Sequence, residues 1–131
     1  MPYETWFKRA FRLISGLSMV VIGVLHFVRP EGFVKIVPAF LPAPLVLVYV
    51  SGLFEIAGGL GLFFRRVHRA AAWGLIALYV AVFPANINMA VNAIQPADGH
   101  ISTSLMWLRL PFQFVFIGIA WWLSRSPSAP P

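Results

Sequence analysis

Residues 43–64 read APLVLVYVSGLFEIAGGLGLFF, an apolar run interrupted by one ionisable residue, Glu55. A helix of this length can cross the roughly 30 Å hydrocarbon core of a bilayer. Small residues recur along the run at spacings of three and four, which lets membrane helices approach closely. Glu55 shares a helical face with Ser51 and Gly59, so we expect it to face protein and not lipid. The stretch predicts a membrane-spanning helix inside a bundle.

Three further apolar runs, at residues 11–28, 67–89 and 104–123, give four predicted spans in total. The chain has 131 residues, of which 60% are hydrophobic and 11% charged, outside the range of ordinary soluble proteins. We therefore predict an all-α fold, an integral membrane four-helix bundle that forms a single transmembrane domain over residues 1–131.

Two segments outside the four runs have a different composition. Residues 31–44 mix proline and glycine with apolar side chains, and they are too short and too rich in proline to span a bilayer. They predict a short interfacial or re-entrant segment between the first and second spans. Residues 124–131 are polar and rich in proline, which predicts a disordered tail.

Basic residues flank the apolar runs, mostly on one side of the predicted bundle. The net charge is +6, but a basic nucleic-acid-binding face is not indicated, and we exclude nucleic acid as a partner. Seven basic residues fall on the side of the two termini: Lys8, Arg9, Arg12, Arg65, Arg66, Arg69 and Arg125. The opposite side holds Arg29 and Lys35. The positive-inside rule then predicts a multi-pass protein of the cell membrane with cytoplasmic N- and C-termini.

The chain contains no cysteine, which excludes iron–sulfur ligation, disulfides and thiolate chemistry within it. No flavin or nucleotide motif is present, so a cofactor of that kind is not predicted. His26, near the outer end of the first span, is expected to form an interfacial hydrogen bond, and His68 is expected to be another interfacial residue. The histidines have no metal-site spacing, so no metal ligand is predicted.

The candidate site consists of five polar residues in or near the spans, namely His26, Glu55, Asn86, Arg109 and Gln113. Their estimated depths and the tilt of helical side chains predict that they converge in one layer in the outer half of the membrane. A Glu55–Arg109 ion pair is the expected centre of this layer, because two isolated charges in lipid cost roughly 5 to 7 kcal/mol. Such a pair can either fix the register of the helices or form a ligand or proton site.

Five motifs occur in order along the chain: His26-Phe-Val-Arg-Pro30, Ile36-Val-Pro38 with Leu41-Pro42, Ser51 to Leu62, Val82 to Ala90, and Arg109-Leu-Pro111-Phe-Gln113. In order and spacing they resemble those of the DoxX-like family of small four-helix membrane proteins. The resemblance implies the four-span fold and these polar positions. The wider family includes a membrane subunit of a thiosulfate:quinone oxidoreductase, and more distant relatives act as assembly factors.

The first functional hypothesis is an accessory membrane protein that is not an enzyme alone. It would bind a quinone-like or other hydrophobic small molecule in the polar pocket and serve a partner oxidoreductase. The alternative is a non-catalytic membrane scaffold or assembly factor whose polar cluster is structural. A proton-coupled transporter is a third hypothesis, although the single buried carboxylate and the lack of inverted repeats count against it. Oligomerisation is compatible with all three.

Overall fold

The computed structural model describes residues 4–95 and 100–125. Within these ranges the chain is all-helical: α1 (Trp6–Val28), α2 (Pro30–Ile36), α3 (Pro44–Gly61), α4 (His68–Val91) and α5 (Thr103–Ser124). The four longer helices are each long and apolar enough to cross a membrane, which confirms the prediction of four candidate spans. Residues 96–99 and 126–131 lie outside the described residues. The second range contains most of the tail for which disorder is predicted.

The ends of α1 and α3 differ most from the predicted ends. α1 begins at Trp6, five residues before the predicted start, because Thr5 caps the helix and its side chain accepts a hydrogen bond from the Lys8 amide at 3.2 Å. α3 begins at Pro44, directly after Ala43 in a left-handed conformation (φ 47°). It ends at Gly61, three residues before the predicted end. The boundaries of α4 and α5 lie within two residues of those predicted.

Part of the segment at residues 31–44 folds as the short helix α2. Pro30 occupies the first turn of α2, where its missing N–H costs no helical hydrogen bond. α2 packs against α1, α3 and α4. The Asn88 side chain on α4 donates a hydrogen bond to the Ile36 carbonyl at 2.9 Å, at the C-terminal end of α2. α2 is therefore fixed to the bundle at its last turn.

The long helices pack in the order α1, α3, α4, α5. We call the end of the bundle with Lys8, the 65–67 turn and Arg125 the basic end, and the end with α2 and the start of α5 the distal end. Contact between α1 and α5 is much less extensive than that of α1 with α3 or of α4 with α5. The two helices meet at the basic end, where the rings of Phe11 and Trp122 lie 5.6 Å apart.

Two glycines on each helix form the seam between α1 and α3, in antiparallel register. A Cβ atom added to Gly59 would lie 2.7 Å from the Gly16 carbonyl oxygen, and one added to Gly52 would lie 2.9 Å from the Gly23 carbonyl oxygen. Backbone therefore meets backbone at two levels, seven residues apart on each helix. This confirms the prediction that the small residues of the second span support close helix packing.

Two apolar clusters fill the bundle. The cluster near the basic end is centred on Leu62, Leu75 and Leu123, whereas the distal cluster contains Met89, Ala90 and Met106. Between these clusters lie polar side chains, and they form the candidate site.

Candidate functional site

His26 and Glu55 meet across the α1–α3 seam. His26 Nδ1 lies 3.1 Å from Glu55 Oε2, and the two residues are only 7% and 9% exposed. The contact is ionic only when the imidazole carries a second proton. Nδ1 also lies 2.7 Å from the Ile22 carbonyl oxygen, one turn back on α1. The single N–H at Nδ1 cannot point at both oxygens, and its geometry favours Ile22.

Glu55 Oε2 is consequently a buried oxygen without a hydrogen-bond partner. The 3.1 Å contact with His26 satisfies the distance for an ion pair but not the geometry for a hydrogen bond. A buried acceptor that lacks a donor costs roughly 1 to 3 kcal/mol. The Glu55 carboxylate can therefore accept one further hydrogen bond.

Gly52 and α2 hold the His26 ring in place. A Cβ atom on Gly52 would lie 2.6 Å from His26 Cβ, so the imidazole fits only because position 52 has no side chain. Glu55 follows Gly52 by about one helical turn and thus reaches the same ring. On its other side the imidazole stacks on Phe33 of α2, with ring centroids 3.7 Å apart and planes 17° from parallel. The short helix therefore covers the pair.

Asn86 and Gln113 form a second polar group, between α4 and α5. The Asn86 side-chain amide donates to Gln113 Oε1 at 3.2 Å, and the Gln113 amide donates to the Tyr79 carbonyl oxygen at 2.9 Å. The Tyr79 hydroxyl donates in turn to the sulfur of Met19 on α1 at 3.3 Å. These contacts join Asn86 and Gln113 to each other and to Tyr79, and not to the Glu55 carboxylate.

The predicted Glu55–Arg109 ion pair is wrong. Among the residues that the structure describes, Glu55 pairs with His26, and the Arg109 guanidinium contacts the Met89 sulfur at 3.2 Å. Two features explain the difference: the positions of the two residues along the bundle axis, and the order in which the helices pack. Glu55 lies eleven residues into α3 and Arg109 six into α5, a difference of roughly 7 Å, and both side chains lean towards the distal end. In addition, α3 packs mainly against α1 and α4, and its contact with α5 is much less extensive.

The polar residues therefore form separate local groups and not the single layer that the sequence predicts. The structure brings His26 together with Glu55, and Asn86 together with Gln113, while Arg109 stands apart on an exposed part of α5. His26 does form the hydrogen bond that we expected of it, but within the bundle, and it contacts a carboxylate as well. Within residues 4–95 and 100–125, no three His, Asp or Glu side chains come together as a metal site would require.

A cleft separates α1 from α5 towards the distal end. Arg109, Phe112, Phe116, Ile119 and Leu123 follow one stripe of α5, and the last three of them line a cavity together with Ser15 of α1. Along this stripe Leu123 is fully buried, whereas Phe116 and Phe112 are 46% and 47% exposed and Arg109 is exposed. A cavity of about 20 Å³, large enough for one water, lies at the closed end, lined in part by Ser15, Tyr79, Phe116 and Leu123. We call this opening the α1–α5 cleft.

A charged network that is not predicted from the sequence joins α1, α3 and α5 at the basic end. The buried Arg12 guanidinium binds Glu4 through both Nε and Nη2 and donates to the Leu62 and Leu123 carbonyl oxygens at 3.3 and 3.0 Å. These carbonyls end α3 and α5, where a cation is favoured by the helix dipoles. Lys8 Nζ donates to the Arg125 carbonyl oxygen at 2.6 Å.

A pattern in the sequence could have revealed this network. Lys8, Arg12, Gly16 and Gly23 follow one helical stripe, so both cations lie on the face that carries the seam glycines. Burial acts to raise the pKa of Glu4, but the hydrogen bond and the charge of Arg12 outweigh burial and hold this pKa below its ordinary value. The carboxylate form is therefore the one that the network stabilises.

His68, for which an interfacial position is predicted, is buried at the start of α4. It is 4% exposed, and its Nδ1 lies 2.9 Å from the Arg65 carbonyl oxygen. Its Nε2 is buried without a hydrogen-bond partner. His68 therefore belongs to the packed start of α4, where it helps to hold the turn after α3.

The helices and their polar groups define a class of small all-helical proteins with four helices that can span a membrane. Residues 15–124 match a family model described as "Domain of unknown function (DUF8561)", and the chain belongs to that family. No curated protein matches the chain, and no solved structure matches it either.

Proposed function

We propose that this chain is a multi-pass protein of the cell membrane that holds a hydrophobic small molecule with a hydroxyl on its polar head, such as a quinol, for a partner oxidoreductase. The observation that carries the proposal is the Glu55 carboxylate oxygen, which is buried in a candidate span and lacks a donor. A ligand hydroxyl would supply that hydrogen bond. The resemblance to the DoxX-like proteins supports the same proposal.

The position of Glu55 in the bundle favours a ligand that enters from the lipid. Glu55 precedes Leu62 by seven residues on α3, so the two side chains share one helical face. Leu62 lines the cavity at the closed end of the α1–α5 cleft. The carboxylate therefore faces the same interior, roughly 10 Å nearer the distal end. A molecule with an apolar tail would reach it through the open side of the cleft.

We expect Glu55→Gln to lower the amount of bound small molecule at least about tenfold, because it replaces a charge-assisted hydrogen bond from the ligand hydroxyl with a weaker neutral one. The measurement is mass spectrometry of small molecules that remain with the protein after purification from its native membrane in a mild detergent. Glu31→Gln is the matched control, since it makes the same chemical change at an exposed residue of the distal end.

Two results would contradict the proposal. The first is a folded Glu55→Gln protein that retains the same molecules in the same amounts as the Glu31→Gln control. The second is a wild-type protein that retains no hydroxyl-bearing hydrophobic molecule at all.

A membrane scaffold is the second candidate function, and the small size of the cavity favours it. About 20 Å³ accommodates a water but not a quinone head group, so a ligand must widen the cleft. In the scaffold, the His26–Glu55 and Asn86–Gln113 contacts would fix the helix register. A stable protein partner that co-purifies equally with the wild type and with Glu55→Gln, without a bound small molecule, would establish this alternative.

We also propose that both termini are cytoplasmic and that α2 lies in the outer interface of the membrane. Most of the basic residues cluster at the basic end, as the positive-inside rule requires of a cytoplasmic side. The chain has no cysteine, so single cysteines can be labelled in intact cells. We expect a membrane-impermeant thiol reagent to label Ala39→Cys and not Phe64→Cys, which replace exposed residues at opposite ends. Labelling of Phe64→Cys and not of Ala39→Cys would show that the protein has the opposite orientation in the membrane.

A further inference from the structure

We propose that Arg109 binds the phosphate of an outer-leaflet phospholipid, with one acyl chain of that lipid lying in the α1–α5 cleft. This inference goes beyond the proposed function, because it rests on Arg109 and on the exposed stripe of α5. It uses neither the Glu55 carboxylate nor the His26 ring. Both proposals use the α1–α5 cleft, but different residues test them, so the failure of one is distinguishable from the failure of the other.

The Arg109 guanidinium is poorly satisfied by the chain itself. It has five N–H donors, and within the described residues it donates to the Met89 sulfur, a weak acceptor, at 3.2 Å. In those parts of the chain, no carboxylate lies within ion-pair distance of it, since Glu4 pairs with Arg12 and Glu55 with His26. An arginine on a membrane helix needs strong acceptors for its charge. An anion is therefore the group that completes this site.

The depth of Arg109 matches the phosphate layer of the membrane. It lies six residues after the start of α5, so its Cα atom is roughly 9 Å inside the distal end. Its side chain leans back towards that end, and long basic side chains extend along apolar surface to reach the interface. The planar guanidinium can there bind a phosphate through two parallel hydrogen bonds.

The shape of the α1–α5 cleft favours an acyl chain beneath that phosphate. Phe112 and Phe116 lie one and two turns below Arg109 on the same stripe, and both rings are about half exposed. A cavity of about 20 Å³ lies beside Leu123, at the basic end of the same stripe. A single hydrocarbon chain can lie along the two half-exposed rings beneath the phosphate.

The test is native mass spectrometry of the delipidated full chain, titrated with lipids that differ in their head groups. We expect phosphatidylglycerol and phosphatidylcholine to bind at least about tenfold more tightly than a phosphate-free galactosyl diacylglycerol. Arg109→Gln should remove this preference. Arg66→Gln, which removes an exposed positive charge at the basic end, should retain it.

Two further arms keep the proposal falsifiable if Arg109→Gln does not fold. Arg109→Lys keeps the positive charge but lacks the planar guanidinium that can form two parallel hydrogen bonds. We expect it to weaken phospholipid binding several-fold. Inorganic phosphate should not displace the lipid, because it has no acyl chain. Equal binding by all variants, or displacement by inorganic phosphate, would overturn the proposal. So would an Arg109→Gln change from dimer to monomer, which would assign the guanidinium to a carboxylate such as Glu31 on a second copy.

Discussion

Arg12→Gln should lower the free energy of unfolding by about 3 to 5 kcal/mol, the usual effect of removing one partner from a buried ion pair. The loss has two causes. Glu4, which is only 7% exposed, would lose the guanidinium that pairs with its carboxylate in a buried site. The Leu62 and Leu123 carbonyl oxygens at the ends of α3 and α5 would also lose their shared donor. Because one guanidinium serves three segments, its removal should separate the helices at the basic end.

Reversible unfolding of the purified protein in mixed detergent micelles would measure this effect. Arg69→Gln is the matched control, since it removes an exposed arginine near the same end, and we expect a change within about 0.5 kcal/mol. The double variant Glu4→Gln, Arg12→Gln should lose less stability than the sum of the losses in the two single variants. The reason is that the double variant removes both charges of the pair, so that neither charge is left without its partner. An Arg12→Gln protein as stable as Arg69→Gln would show that the network contributes little.

Gly59→Leu should prevent α1 and α3 from packing, with a loss of stability that exceeds the roughly 1 to 3 kcal/mol of ordinary overpacking. The first added carbon would already lie 2.7 Å from the Gly16 carbonyl oxygen and 3.0 Å from Met19 Cβ. The Gly16 oxygen is backbone, so the clash is relieved only if the two helices move apart. The remaining atoms of the leucine side chain add to that separation.

Gly74 and Gly118 provide matched controls in helices of the same bundle. A Cβ atom added at either position meets nothing within 4 Å. We expect Gly74→Leu and Gly118→Leu to remain folded, with a change in stability between zero and a gain of about 1 kcal/mol from the better helix propensity. Size-exclusion chromatography and thermal unfolding in detergent would compare the three variants. Equal stability of Gly59→Leu and Gly74→Leu would show that the α1–α3 seam is not tightly packed.

The sequence predicts the four long helices well because apolar runs and breaking residues are local signals. Pro30 and Pro44 mark helix starts, and the small residues of α3 correctly indicate a packed face. The start of α1 was predicted too late, because Lys8 and Arg12 were interpreted as charges that flank a span. They are buried within α1, where Glu4 and the helix-end carbonyls accept their hydrogen bonds.

The partners of the polar residues could not be predicted in the same way. Which side chain meets Glu55 depends on which helix lies beside α3 and on the direction in which each side chain leans. Gly52 brings α1 close enough for His26 to reach the carboxylate, whereas Arg109 leans away from Glu55 and towards the distal end. Relative helix positions set these distances, and composition or spacing along one chain does not encode them directly.

The glycine seam also limits how this protein can change during evolution. In an ordinary core, a larger residue on one helix can be accommodated by a smaller residue opposite it. Gly16 and Gly59, like Gly23 and Gly52, are already the smallest residues available on both sides. No second mutation can compensate for an enlargement at any of these four positions, so each is constrained independently of its partner.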